Sequence, residues 1–120
     1  VDDQHGTPTY AVDLAHAIGE IVRRPDSPWG TYHFTNRGRT TWYRFALEIQ
    51  KIAVAAGLTD GRCTVVPVTS AECPTKARRP HFSLLSTEKI ERTFGIRPSR
   101  WEESLRRFLT ERSKTKKMDE

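Results

Sequence analysis

"TYHFTNRGRTTWYRFALEIQKIAVAAG", residues 31–57, changes its hydrophobic period halfway along, and that change decides the fold class. Thr31–Thr35 alternates and carries aromatic and β-branched residues, which predicts a short strand. Asn36–Arg39 reads as a turn, since Gly38 frees the backbone where Asn and Arg crowd it. From Trp42 onward the period becomes 3.6. Trp42, Phe45, Ala46, Ile49, Ile52, Ala53 and Ala56 share one face, so a helix is predicted over Trp42–Ala56, opened by Thr40 or Thr41 and closed by Gly57. A strand feeding a helix through a tight turn places the chain in the α/β class.

Working outward, Thr9 is predicted to cap a helix over Tyr10–Arg23. Its stripe is Ala11, Leu14, Ala15, Ile18, Ile21 and Val22, and Pro25 ends it. "RCTVVPVT", residues 62–69, predicts a second short strand, with Pro67 marking an edge or an end. Residues 70–82 hold two prolines and read as an ordered loop. Ser86 is expected to cap a short helix over Thr87–Phe94 that Gly95 stops. Ser99 and Glu102 have the spacing of a capping box for a last helix with the stripe Trp101, Leu105, Phe108, Leu109. Residues 113–120, "SKTKKMDE", lack an apolar period and are expected to form a frayed basic tail after a domain spanning residues 1–112. Two short strands cannot bury a sheet face alone and need partners. The start, "VDDQHGTPTY", has no initiator Met and reads as a loop met in mid-fold, so the sequence is expected to be part of a longer protein.

The 120 residues carry 20 Lys and Arg against 15 Asp and Glu, a net charge of +5, with 36% hydrophobic and 29% charged residues. This is one domain's worth of chain with ordinary soluble composition. No apolar run approaches the roughly 20 residues needed to span a bilayer, so no membrane is expected as a partner. No basic segment followed by an apolar stretch opens the chain, so no signal peptide is visible. Cys63 and Cys73 are then expected to be free thiols in a reducing compartment, the cytoplasm. The four histidines, His5, His16, His33 and His81, show no metal-ligand spacing, and no metal is expected.

Catalytic signatures are missing. The seven glycines nowhere form G-x-G-x-x-G or a P-loop, and neither G-x-S-x-G nor H-E-x-x-H occurs. Tyr10, Tyr32 and Tyr43 are followed four residues later by Leu14, Asn36 and Leu47. A Tyr-x-x-x-Lys pair, in which an ammonium lowers the phenol pKa for proton transfer, is therefore absent. The adjacent carboxylates Asp2-Asp3 and Glu102-Glu103 read as surface groups. No catalytic residue is assigned.

Two stretches suit a ligand. Gln4-His5-Gly6-Thr7-Pro8-Thr9 is a turn feeding a helix N-terminus, whose N–H groups and partial positive charge suit a hydroxyl or a phosphate. The plainer alternative is that Thr9 caps the helix while Gly6 and Pro8 set the turn. Arg78-Arg79-Pro80 offers guanidinium forks that match phosphate oxygens, on a loop stiffened by proline. Its alternative is one arginine paired with an acid inside the fold and the other solvated. Ser83 and Lys76 are companions to this loop. Trp42 could stack on a ring, but its place on an apolar stripe reads first as core, and His33 reads as a hydrogen-bonded structural histidine. The cations Arg106, Arg107, Arg112, Lys114, Lys116 and Lys117 read as a solvated helix face.

Three separated segments, "DDQHGTPTYAVDLAHAI", "GTYHFTNRGRTTWYRFALEI" and "VPVTSAECPTKARRPHFSLLSTEKI", recur in register with one family. Together they resemble the C-terminal part of dTDP-4-dehydrorhamnose reductases, extended short-chain dehydrogenase/reductases, over nearly all of residues 1–112. The resemblance implies an α/β fold: a mainly helical substrate-binding lobe with two short strands, the remainder of a Rossmann-fold reductase. It implies a nucleotide-sugar substrate contacted by Gln4, Gly6, Thr7, Pro8, Thr9, Arg78, Arg79, Pro80 and Ser83. NADPH or NADH would be bound mainly outside this chain, by an N-terminal Rossmann domain that also supplies the catalytic residues. Magnesium and homodimer contacts are also implied by the family, though no acidic cluster here can be assigned to them. Phe82 and Leu84 depart from the family pattern, which has Asn or Tyr, and in some relatives Arg, at these places. Two alternatives remain at this level. One is a non-catalytic regulatory relative of the same fold; the other is a small basic nucleic-acid-binding domain, against which the cations neither line one helix nor interleave with aromatics.

Overall fold

The computed structural model describes the backbone of residues 1–118 and the side chains of residues 1–114. In chain order the elements are β1 (His5–Gly6), α1 (Ala11–Val22), β2 (Thr40–Thr41), α2 (Trp42–Ala55), α3 (Glu88–Phe94) and α4 (Trp101–Met118). The two strands pair antiparallel, with His5 opposite Thr41 and Gly6 opposite Thr40. The result is the mainly helical α/β lobe with two short strands that the pattern of residues implied, but the strands lie elsewhere in the chain.

Two small apolar cores hold the helices. Ala17 of α1 packs with Ile90 and Phe94 of α3 and with Ile96, and Ile21, Tyr32 and Phe34 close over them. Trp101, Leu105 and Leu109 of α4 form the second core against Phe45, Ile49 and Ile52 of α2 and Leu58. These are the stripes that the 3.6 period marks on α2 and α4, except that Trp42 stays 60% exposed and Phe108 43%, the Phe108 ring meeting Tyr10 edge-on at 6.1 Å. Thr41 opens α2, its hydroxyl accepting from the Arg44 amide at 3.2 Å. Gly95, in the left-handed region at φ +70°, ends α3.

Between the cores lies a buried polar junction. Asn36 is 1% exposed and uses both ends of its amide. Its Oδ1 accepts from the Tyr10 amide at 2.7 Å. Its Nδ2 donates to Asp13 Oδ2 at 2.8 Å, to the Ser99 carbonyl at 3.2 Å and to Ser104 Oγ at 2.9 Å. Ser104 and Arg107 each reach Asp13 at 2.5 Å. One asparagine thus ties α1, α4 and the segment before β2 together, and a buried amide with all partners satisfied fixes their mutual register.

Several expectations need correction. Thr9 does not cap α1. Tyr10 occupies the cap position without a side-chain bond, and its own amide is bonded by Asn36 from across the fold. Ser99 does not cap α4, because the chain there runs beside Arg37: Arg37 N donates to Ser99 O at 2.8 Å and Trp101 N to Arg37 O at 3.0 Å. Glu102 turns to Arg100 at 3.0 Å instead of closing a box. Thr87 stands immediately before α3 without a side-chain cap, and the expected capping bond comes from Ser86, whose Oγ accepts from the Glu88 amide at 3.4 Å. Thr31–Thr35 and residues 62–69 are not strands among the described residues: a ladder needs repeated pairing with a neighbouring segment, and residues 62–69 have a single such bond, from Asp2 N to Val68 O at 2.9 Å. Tyr32 and Phe34 still turn inward as the alternation requires, while His33 lies exposed. Helical backbone continues beyond residue 112 to Met118, and the side chains of Lys116 and Lys117 lie outside the described residues.

The molecule is a slab of 52 × 43 × 22 Å with a radius of gyration of 17.2 Å, where a compact 120-residue domain would have about 14 Å. Its accessible surface is 8945 Å², against about 6,600 Å² for a compact monomer of this size. Part of that excess is apolar: Val12, Leu14, Ile18 and Val22 of α1 and Trp29 all face outward.

Candidate functional site

A cleft of about 310 Å³ opens beside the two-stranded ladder. Its floor is β1 and β2, residues 5–6 and 40–41. One wall is the start of α2, Trp42 and Phe45. The other is Arg79, Pro80 and Ser83, and the turn Gln4, Thr7 and Pro8 completes the rim. The loop 79–83 reaches the floor by backbone pairing: His5 N donates to His81 O at 2.8 Å, and Ser83 N to His5 O at 2.9 Å. Gly6 allows this approach, because a Cβ there would stand only 3.0 Å from Ser83 Oγ.

Most polar groups of the rim are already engaged. Thr7 Oγ1 donates to the Gly38 carbonyl at 2.6 Å, Gln4 Nε2 to Ser70 Oγ at 2.8 Å and Ser83 Oγ to His5 O at 3.2 Å. Below the rim, Thr41 Oγ1 donates to Asp2 Oδ1 at 2.5 Å. Asp3 bonds the amide and the hydroxyl of Ser70 at 2.9 and 2.7 Å. Those two donors, the amide first, hold the Asp3 carboxyl below the usual carboxylate range, so it is an anion that anchors loop 70 to the N-terminal turn. The His81 ring nitrogen Nδ1 lies 2.9 Å from the Asp3 carbonyl.

The cations behave differently. Lys76, Arg78 and Arg79 are exposed, and among the described residues no carboxylate lies within ion-pairing distance of any of them. The arrangement in which one arginine is used up by an internal acid is therefore not the one found. Arg39 adds a further guanidinium, 5.6 Å above the Phe82 ring. Phe82, apolar where hydrogen-bonding capacity was in question, serves as a platform for that cation.

Of the residues singled out from sequence, Gln4, Gly6, Thr7, Pro8, Arg79, Pro80 and Ser83 come together on the cleft. Thr9 is exposed away from it, and Arg78 and Lys76 do not line it. Trp42, first read as core, is 60% exposed and forms the wall. His5, from the middle of the turn read as suiting a ligand, lines it too, and Thr40, Thr41 and Phe45 are additions. The ladder that carries His5, Thr40 and Thr41 is two residues long on each side, too short for any periodicity to reveal. Cys63 and Cys73 are both free and exposed. Among the described residues no group of three or more His, Cys, Asp or Glu could hold a metal ion, and no helix is long and apolar enough to cross a membrane.

The cleft thus combines an unpaired guanidinium, a flat aromatic wall and a polar floor. The RmlD substrate binding domain family matches residues 1–114, and the chain belongs to that family. It is 42% identical over 113 residues to the Bacillus subtilis spore coat polysaccharide biosynthesis protein SpsK, a match covering 94% of this chain and 36% of that protein. It is 39% identical over 117 residues to the dTDP-4-dehydrorhamnose reductase of Escherichia coli K12, covering 92% and 38%. The solved dTDP-4-dehydrorhamnose reductase of Bacillus anthracis, in complex with NADP, superposes with a TM-score of 0.77 at 32% identity, over 92% of this chain and 36% of that one. The chain thus spans a little over a third of the length of these relatives. Its own residues do not form a dinucleotide cradle, having neither a Gly-rich strand-to-helix turn nor a parallel sheet among the described residues.

Proposed function

We propose that this chain is the substrate-binding, C-terminal part of a cytoplasmic NADPH-dependent reductase that converts dTDP-4-dehydro-L-rhamnose to dTDP-L-rhamnose. The observation that carries this reading is Arg79, an unpaired cation on the wall of a cleft that lies within the matched family domain. A guanidinium left free beside a cleft suits the diphosphate of a nucleotide sugar. The nicotinamide cofactor and the proton donor belong to a Rossmann domain outside residues 1–120. That domain covers the outward apolar line of α1, Val12, Leu14, Ile18 and Val22, which accounts for the excess surface of the isolated lobe. The full-length protein works as a homodimer or a monomer on a nucleotide sugar, without membrane or nucleic acid.

The test is NADPH consumption with dTDP-4-dehydro-L-rhamnose. The full-length protein oxidises NADPH only when the sugar nucleotide is present, and the 120-residue chain does not. Absence of turnover by the full-length protein would overturn the reading, and turnover by the 120-residue chain would overturn the division of labour.

A further inference from the structure

We infer that Trp42 is the platform on which the nucleobase of the ligand stacks, a proposal that rests on the nucleotide-sugar reading of the cleft. The ring is 60% exposed although it stands at the start of an apolar helical stripe. Its position is nevertheless fixed from behind. Phe45 meets it edge-on at 6.3 Å, and Phe45 is in turn braced edge-on at 5.7 Å against buried Trp101. Thr41 pins the backbone of the same turn through the Arg44 amide. An aromatic face held in place and presented to a cleft is preorganised for a flat partner.

What the rest of the cleft has left to offer narrows that partner. Thr7 and Ser83 spend their hydroxyl protons inside the protein and Gln4 one of its two amide protons, so few donors remain for a sugar. The features left for a ligand are led by one aromatic face and the Arg79 guanidinium, with the His5 ring and the Gln4 carbonyl beside them. Together they fit a planar base joined to a phosphate chain. The sugar then lies toward the part of the protein outside this chain, where the hydride donor is.

The experiment is calorimetric titration of the full-length protein, wild type and the variants Trp42→Leu and Trp42→Phe, with dTDP and separately with inorganic pyrophosphate, which has no base. Stacking on an aromatic ring predicts that Trp42→Leu weakens dTDP about ten-fold. Trp42→Phe should stay within about three-fold of wild type, and neither variant should change pyrophosphate affinity. Unchanged dTDP affinity in Trp42→Leu overturns the stacking role and leaves the nucleotide-sugar reading standing. Equal weakening of dTDP and pyrophosphate overturns it too, as a general disturbance of the cleft. Failure of wild-type protein to bind dTDP at all removes the nucleotide-sugar reading itself.

Discussion

The junction around Asn36 and the loop of residues 71–83 are built on opposite terms. At the junction every polar atom of one buried amide has a partner, and three parts of the chain are locked by it. Along 71–83 every residue is exposed, and three cations carry no counter-charge among the described residues. The first region gives the lobe its shape and offers a ligand nothing. The second adds little to the shape and presents the charge a ligand would meet. Substitutions in the two regions should therefore separate cleanly into losses of stability and losses of binding.

The sharpest break comes at Asn36. Asn36→Ala leaves the Asp13 carboxylate, the Ser104 hydroxyl and the Tyr10 amide short of partners in a buried place, and should cost about 3 kcal/mol in urea unfolding of the full-length protein. The same substitution should alter the acid response. Burial alone would raise the Asp13 carboxyl, but bonds from Ser104, Asn36 and Arg107 outweigh it and hold the group below its ordinary range. The folded pKa thus lies below the unfolded value of about 3.9, so this stabilisation is complete above roughly pH 4 and is lost as pH falls through the folded pKa. Removing one donor raises the folded pKa and should move the acid midpoint, followed by circular dichroism, to higher pH. An unmoved midpoint would mean that Asp13 does not govern the acid limb.

Gly38 sharpens the comparison from the other side of the same junction. It sits at φ +110°, and a Cβ there would stand 2.8 Å from Trp101 Cδ1. Gly38→Ala combines backbone strain with a clash against a buried ring and should destabilise by about 2 kcal/mol, read as a shift in thermal midpoint. Its carbonyl also receives the Thr7 hydroxyl, so some distortion of the cleft rim should accompany the loss. Stability close to wild type would show that Trp101 can move aside at little cost.

What could be read from sequence follows the same division. Helices α1, α2 and α4 are legible because each repeats apolar residues at the 3.6 period. On α2 and α4 most of that stripe packs, whereas on α1 only Ile21 of the stripe meets the core, beside Ala17, while Leu14, Ile18 and Val22 face outward. The caps are not. Thr9 and Ser99 have the right side chains at the right spacing, yet the chain around both helix starts is held by partners more than twenty residues away. These are Asn36 at the Tyr10 amide and Arg37 at Ser99 O and the Trp101 amide, and no local pattern records such a partner. Thr31–Thr35 has the alternation of a strand and the inward ring pair Tyr32 and Phe34, but a ladder also requires a neighbouring chain. At the cleft, proline, glycine and arginine clusters marked the turn and the loop. Trp42 was misplaced because its helical spacing is the same whether the ring turns inward or lines an opening.

The smallest effect is the most selective. Arg79 lines the cleft and Arg78, next to it, does not, although the two share charge, exposure and loop. Neither makes an ion pair among the described residues, so neither truncation should change stability by more than a few tenths of a kcal/mol. On the proposed reading Arg79 makes a charge-assisted bond to the diphosphate, so Arg79→Ala should raise KM for the nucleotide sugar about ten-fold with kcat nearly unchanged, since such a contact would hold ground state and transition state alike. Arg78→Ala should stay within about two-fold of wild type. If both variants raise KM equally, the loop acts as a diffuse positive field, and the effect of each should fade together as salt is raised. If only Arg79 matters and its effect persists in salt, the contact is a local one made at the cleft wall, and the loop's other cations serve only to draw the anion in.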